Sequence, residues 1–263
     1  MRIVIVLGAL ALATPLAAQS LADRILAPKN GTVRLTYASR DGLCGDGETF
    51  IRDLSRGDDH YIVFGSVNEK GWRRRIPCEE GPARVAISLF DGGIRKVRVY
   101  IGGAWRETGA SDVHDLGVVS AARAAEAFLT LAARDRRGEE MLFAATVADS
   151  VTIWPDLLRL ARNENVPRAS RRSAVFWISQ VAEEAATRGL TEIVDDSKGD
   201  REVREQAVFA LSQLPEEQGI PALIRVARTN PDPGLRRKAI FWLAQSEDPR
   251  ALSLFEEILS KGR

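Results

Sequence analysis

Arg171-Arg-Ser-Ala-Val-Phe-Trp-Ile-Ser-Gln180, Arg204-Glu-Gln-Ala-Val-Phe-Ala-Leu-Ser-Gln213 and Arg236-Arg-Lys-Ala-Ile-Phe-Trp-Leu-Ala-Gln245 are three writings of one segment. Ala174, Ala207 and Ala239 fix their register at intervals of 33 and 32 residues. A constant period of that size marks a stacked helical repeat, in which each unit buries its apolar face against its neighbours.

On a wheel of about 100° per residue, with the Ala of each copy at zero, Ile178, Leu211 and Leu243 fall near about 40°. Trp177, Ala210 and Trp242 fall near about 300°, and Phe176, Phe209 and Phe241 near about 200°. Apolar side chains therefore point in most directions. A helix of that kind needs cover on several sides, which predicts the inner layer of a stack and assigns Trp177 and Trp242 to packing. Amphipathic partner helices are expected at Pro155 to Arg162, Glu183 to Asp195, Ile220 to Arg228 and Pro249 to Leu259, with Pro155, Pro221 and Pro249 in first turns. Asp200 and Asp232 precede Arg204 and Arg236 by four residues, so each Asp is placed to cap a helix and pair with an Arg one turn on.

The pattern resembles the HEAT-repeat superfamily, in particular the short bacterial form related to the phycobilin-lyase type of repeat. Asp200, Arg204, Ala207 and Leu211, then Asp232, Arg236, Ala239 and Leu243, carry the resemblance. Pro167 stands where the first copy would have its Asp. The clear match runs from about Trp154 to Leu259, with weaker copies back to about Val118 through Gly138-Glu-Glu-Met-Leu-Phe-Ala-Ala145. The resemblance implies an α-solenoid acting as a scaffold. By itself it selects no single activity, because one fold carries many functions.

Outward from the repeats, the composition changes at Thr108-Gly-Ala-Ser-Asp112. From about Thr32 to Trp105 the hydrophobic period is two: Val33, Leu35 and Tyr37, then Val85, Ile87 and Leu89, then Val97, Val99 and Ile101. Asp-Gly and Gly-Gly within Phe90-Asp-Gly-Gly93 supply the positive φ angles of a tight turn, so Arg84 to Ile101 reads as an antiparallel hairpin. Tyr61-Ile-Val-Phe64 reads as another strand, Ser39 to Glu48 as a loop, Ser20 to Leu26 as a short helix and Ser120 to Arg134 as the first long one. The expected organisation has two domains: a small antiparallel β domain at residues 19–112, then an all-α, HEAT-like solenoid at residues 113–263 with no strand.

Residues 1–18 form the third expected unit. One positive charge, an apolar run too short to span a bilayer comfortably and small residues ending at Ala18 read as a secretory signal peptide. A periplasmic or extracellular protein is expected. In an oxidising compartment the pair Cys44 and Cys78 reads as a disulfide, and without a Cys-x-x-Cys spacing it has no redox signature.

Lys and Arg total 37 against 36 Asp and Glu. Near neutrality gives no long-range attraction for a phosphate backbone, so nucleic acid is not an expected partner, and no segment after the leader has the length of a membrane span. Catalytic, metal and cofactor sites are not expected. His60 and His114 stand apart without a companion at metal spacing, and Asp41, Asp46 and Glu48 lack EF-hand spacing and read as a turn beside Cys44. The expected function is a non-catalytic scaffold for a protein partner, with Arg171, Arg204, Arg236, Gln180, Gln213 and Gln245 as candidate partner-binding residues on the groove of the second helices. A competing reading has the Arg ladder pairing with acids between repeats and the Gln ladder capping helix ends. The alternatives in function are a cofactor-handling enzyme, implied by the bilin-lyase relatives, or a structural part of an envelope assembly. Since stacking accounts for the most regular letters, specificity is expected at the variable positions Ser173, Gln206 and Lys238.

Overall fold

The alternating residues of the N-terminal half build two sheets that lead into a stack of helices. The computed structural model describes residues 19–48, 50–53, 61–63, 78–105, 112–180 and 184–261. The elements run α1 (Leu21–Leu26), β1 (Gly31–Tyr37), β2 (Leu43–Gly45), β3 (Phe50–Asp53), β4 (Tyr61–Val63), β5 (Glu79–Glu80), β6 (Ala83–Phe90), β7 (Gly93–Ile101) and β8 (Val113–Val118). Helices follow: α2 (Ala121–Arg134), α3 (Glu139–Thr146), α4 (Trp154–Arg162), α5 (Arg168–Ser179), α6 (Glu184–Asp195), α7 (Arg201–Ser212), α8 (Glu216–Thr229), α9 (Pro233–Ala244) and α10 (Pro249–Lys261).

One sheet has the order β7-β6-β1-β8, the other β4-β3-β2-β5. Val33, Leu35 and Tyr37 of β1 are buried, as are Val85, Ile87 and Leu89 opposite them on β6. Asp91 and Gly92 both take positive φ, 52° and 75°, the conformation that lets a two-residue turn follow the strand twist. A register shift at Ser88/Leu89 pairs Ser88 with Lys96 and Leu89 with Ile94, leaving Arg95 as the extra residue. That bulge moves burial from odd to even positions, so Ile94 is buried with Val99 and Ile101.

Three expectations change. Residues 113–118 are a strand, and β8 pairs in parallel with β1, so the sheet extends beyond residue 112 and is mixed rather than antiparallel. Leu43–Gly45 within the expected loop is a strand, paired with β3 and β5. Pro221 is the sixth residue of α8, not a first-turn residue, because the helix starts behind Pro215 with Glu216 and Glu217 in its first turn. Its missing N–H leaves the Glu217 carbonyl without a helical donor, on a solvent-exposed turn.

Cys44 of β2 and Cys78 beside β5 form a disulfide. The β6–β7 sheet is sealed onto the helices through its edge: Asp135 accepts the Ile94 N–H at 3.1 Å, Glu140 accepts the Val97 N–H at 2.9 Å, and Arg137 donates to the Arg95 carbonyl at 3.0 Å. Tyr37 reaches from β1 into the helices, donating to the Ala144 carbonyl at 2.5 Å with its ring against Phe128. Burial without a charged partner pushes its phenol well above the ordinary value. Leu21 and Ile25 of α1, the strands and the helices share one continuous core.

Among the helices, α3, α5, α7 and α9 stack one on the next, while α4, α6, α8 and α10 form a second layer beside them. Ala174, Ala207 and Ala239, with Ile178, Leu211 and Leu243, are fully buried between the layers. Gly219 permits one close approach, since a Cβ there would stand 2.4 Å from the Leu211 carbonyl oxygen.

Candidate functional site

The Arg ladder lies inside the stack. Arg171 and Arg204 are 8% and 6% exposed. Each reaches the capping Asp of the following repeat rather than of its own: Arg171 donates to Asp200 at 3.2 Å and Arg204 stands 3.6 Å from Asp232. The cause is direction. Counted from the buried Ala, the Arg lies about 60° round the wheel, on the side facing the next repeat, whereas its own Asp sits behind it at the helix start. Arg204 also donates to the Val194 carbonyl at 3.1 Å, while the equivalent Nε of Arg171 has no hydrogen-bond partner among the described residues. Arg236, in α9, turns to the carbonyls of Asn230 and Pro231 at 2.9 and 3.2 Å.

Asp200 and Asp232 do cap α7 and α9, accepting the N–H groups of Glu202 at 2.9 Å and Gly234 at 2.7 Å. Burial raises the Asp200 carboxyl, but the Glu202 N–H with Arg168 and Arg171 outweighs it and holds the group below its ordinary value. At Asp232 the Gly234 N–H is the leading cause of a similar depression, assisted by Arg201 and Arg204.

Gln180, Gln213 and Gln245 occupy the C-cap positions of α5, α7 and α9. There the backbone N–H closes the last turn, and the side chains of Gln180 and Gln213 donate to the neighbouring Ser179 and Ser212 hydroxyls. The six candidate residues therefore do not form one face. Arg171 and Arg204 are spent within the stack, and the three Gln mark the ends of the helices.

A different surface runs down the second helices. Phe176 and Phe209 are half-buried and Phe241 is 55% exposed, so the far side of these helices is open rather than covered. Neighbouring helices protect the directions near 0° and along the stack, but no described element lies over the Phe column. Trp177 packs between Phe143 and Phe176, with ring centroids 5.3 and 5.0 Å away. Trp242 packs likewise between Phe209 and Phe241, at 5.1 and 5.0 Å. Ala210 occupies the intervening place, so the column splits into two aromatic trios and Phe176 receives no indole from the following repeat. Phe143 was legible as a fourth member, 33 residues before Phe176.

Between the trios, beside Phe176, lies an open hollow of about 330 Å³ lined by Ala169, Arg172, Ser173, Phe176 and Gln206. Arg172 is paired with Glu202 at 3.4 Å, and Lys238 with Glu205 at 3.1 Å. Ser173 and Gln206 make no hydrogen bond among the described residues, so both offer free donors and acceptors at the rim of an aromatic wall. Such a mixture suits docking of another chain. It offers no nucleophile with a base. Among the described residues no three His, Cys, Asp or Glu are placed to hold a metal ion. His114 is exposed on β8, Asp46 is committed to the N–H groups of Glu48 and Phe50, and His60 lies outside the described residues.

Residues 187–263 match the family described as HEAT repeats. The helices in that span are similar to HEAT repeats. The same helix-on-helix stacking continues N-terminal to the matched residues, through α5 and α3. No curated protein matches the chain. None of its described helices is long and apolar enough to cross a membrane.

Proposed function

We propose that this protein is an exported, non-catalytic scaffold that holds another protein against the second-helix face of its HEAT stack. The observation that carries the reading is the aromatic column with its hollow. Three Phe side chains recur at one position that packing leaves partly open, and the polar side chains beside them, Ser173 and Gln206, make no hydrogen bond among the described residues. HEAT repeats commonly serve as interaction surfaces, and solenoid geometry presents such a face as an extended groove. Export is supported by the character of residues 1–18 and by the Cys44–Cys78 disulfide, which suits an oxidising compartment.

The test is site-specific photo-crosslinking in intact cells, with the crosslinker at Ser173 or Gln206 and a control at Arg159 on the opposite layer. A discrete crosslinked protein at the first two positions only, lost on Phe176→Ser, is the expected result. Equal labelling at Arg159, or no product at any position, overturns it. Fractionation and mass spectrometry of the mature N-terminus, expected at Gln19, test export separately.

A further inference from the structure

The β7-β6-β1-β8 sheet buries one face with the helices, through residues such as Val33, Val85 and Val99, and turns the other to solvent. Lys96, Arg98 and Tyr100 follow one another on the outer face of β7, opposite Ser88, Ala86 and Arg84 of β6. One strand further, Arg34 of β1 stands opposite Ala86. Lys96 and Arg98 are exposed, and the small Ala86 and Ser88 beside them keep partial exposure. The middle of this face is open.

Its charge is one-sided. Arg34 donates through Nε to Asp115 at 2.8 Å. Lys96 and Arg98 have neither an ion-pair nor a hydrogen-bond partner for their side chains among the described residues. On the helices, by contrast, pairs such as Arg162–Glu192 and Arg225–Asp195 tie cations to neighbouring elements. The whole chain has 37 basic against 36 acidic residues, so free cations side by side here are a local arrangement and not a surplus of composition.

Aromatic rings continue the row. The Trp105 indole N–H donates to Thr36 Oγ1 at 3.2 Å, and its ring stands edge-on to Tyr100 at 6.1 Å. The guanidinium groups of Arg34 and Arg84 lie 5.2 and 5.1 Å from the Trp105 ring centre. Arg84 is buried and donates to the Gly102 carbonyl at 3.0 Å, so it holds the rings in place and does not face a ligand.

Two residues along a strand span about 6.6 Å, so Lys96, Arg98 and Tyr100 present a cation, a cation and a ring at equal steps on one line. Side chains on one side of an extended polypeptide have the same step. Single-stranded nucleic acid fits less well: its sites set aromatic platforms beside the cations for successive bases, whereas these rings follow the cations in line. From the match of step and charge we infer that the outer sheet face binds an extended acidic segment of another polypeptide. Its carboxylates, at alternate positions, meet Lys96 and Arg98, and an aromatic side chain two residues on meets Tyr100 and Trp105. The Ser88 and Tyr100 hydroxyls make no hydrogen bond among the described residues and serve its backbone. This face is separate from the second helices and stands whether or not the hollow beside Phe176 binds a partner.

The probe is a fluorescein-labelled peptide, Ser-Glu-Ser-Glu-Ser-Phe-Ser, titrated by anisotropy against the full, disulfide-bonded chain at about 50 mM salt. Saturable binding is expected, weakened about tenfold by Lys96→Gln/Arg98→Gln and unchanged by Phe176→Ser. Replacing both Glu of the peptide by Gln costs as much against the native chain and nothing further against the double variant. The isomer Ser-Glu-Glu-Ser-Ser-Phe-Ser, with equal charge and the wrong step, binds about fivefold more weakly. Lys96 and Arg98 are exposed, so their variants retain the native circular dichroism. No saturation up to about 1 mM, equal binding of the two isomers, or indifference to Lys96→Gln/Arg98→Gln refutes the inference. So does displacement of the peptide by polygalacturonate or oligothymidylate at lower concentration than by unlabelled peptide, which would make a polysaccharide or a nucleic acid the occupant.

Discussion

Arg204→Met and Arg171→Met remove the same letter from successive repeats, yet the structure assigns them different costs. Methionine keeps the buried aliphatic stem and removes the guanidinium, so the polar contacts decide the outcome. At Arg204 the change deletes a charged hydrogen bond to the Val194 carbonyl, which keeps the Asn230 amide at 3.4 Å, and removes one of the two α7 cations, Arg201 and Arg204, that act on Asp232. A buried hydrogen bond to a charged group contributes about 1.5–3 kcal/mol, and the longer pair to Asp232 adds little, so about 2–3 kcal/mol is expected. At Arg171 the Nε is already without a partner among the described residues, and Asp200 keeps Arg168 at 2.7 Å. Releasing an unsatisfied buried donor offsets the lost pair, and the net cost is about 0–1 kcal/mol. For a chain of this size a difference of about 2 kcal/mol corresponds to about 4–8 °C in Tm. Thermal melts followed at 222 nm measure it. Equal shifts, or a larger one for Arg171→Met, would show that the repeat interface is not held in the way its hydrogen bonds indicate.

Three further outcomes follow from the same geometry. Reduction of the Cys44–Cys78 bridge, whose ends are 34 residues apart, should lower stability by about 4 kcal/mol on the chain-entropy account, read as a drop in urea midpoint with dithiothreitol. Tyr37→Phe should cost about 1 kcal/mol, because the Ala144 carbonyl loses its donor from the sheet; no change in the urea midpoint would count against that link. Asp200 and Asp232 both sit below their ordinary values when folded, so the stability they contribute is full above about pH 4 and is lost as the pH falls through their folded values. Urea midpoints at pH 7 and pH 3 should therefore converge in Asp200→Asn/Asp232→Asn, and an unaltered pH dependence would exclude the two carboxyls as its source.

What the sequence made legible was local. The repeat register, the Asp91-Gly92 turn and the helices beginning at Ser20 and Ser120 all depend on residues close in the chain, and each appears where it was expected. What it hid was relational. Val113-His-Asp-Leu-Gly-Val118 has no alternation to announce a strand, since only one side of β8 is paired and its side chains are largely exposed. The Asp and Arg of each repeat stand four apart and invite pairing within one helix; only the direction of the Arg toward the next repeat redirects it. A wheel shows that Phe176, Phe209 and Phe241 share a direction, but whether another layer covers that direction is a property of the whole stack.

The place of β1 between β6 and β8 sets an order of assembly. Helix pairs of the stack and the β6–β7 hairpin join neighbours in the chain, whereas β1 meets β8 across a gap such as the 81 residues between Arg34 and Asp115. Contacts that close long loops form late, because chain entropy is lost before the pairing is gained. The helices should therefore reach their stacked arrangement first and serve as a template on which the central strand is laid last. The region that begins the described chain is, in time, the part that completes it.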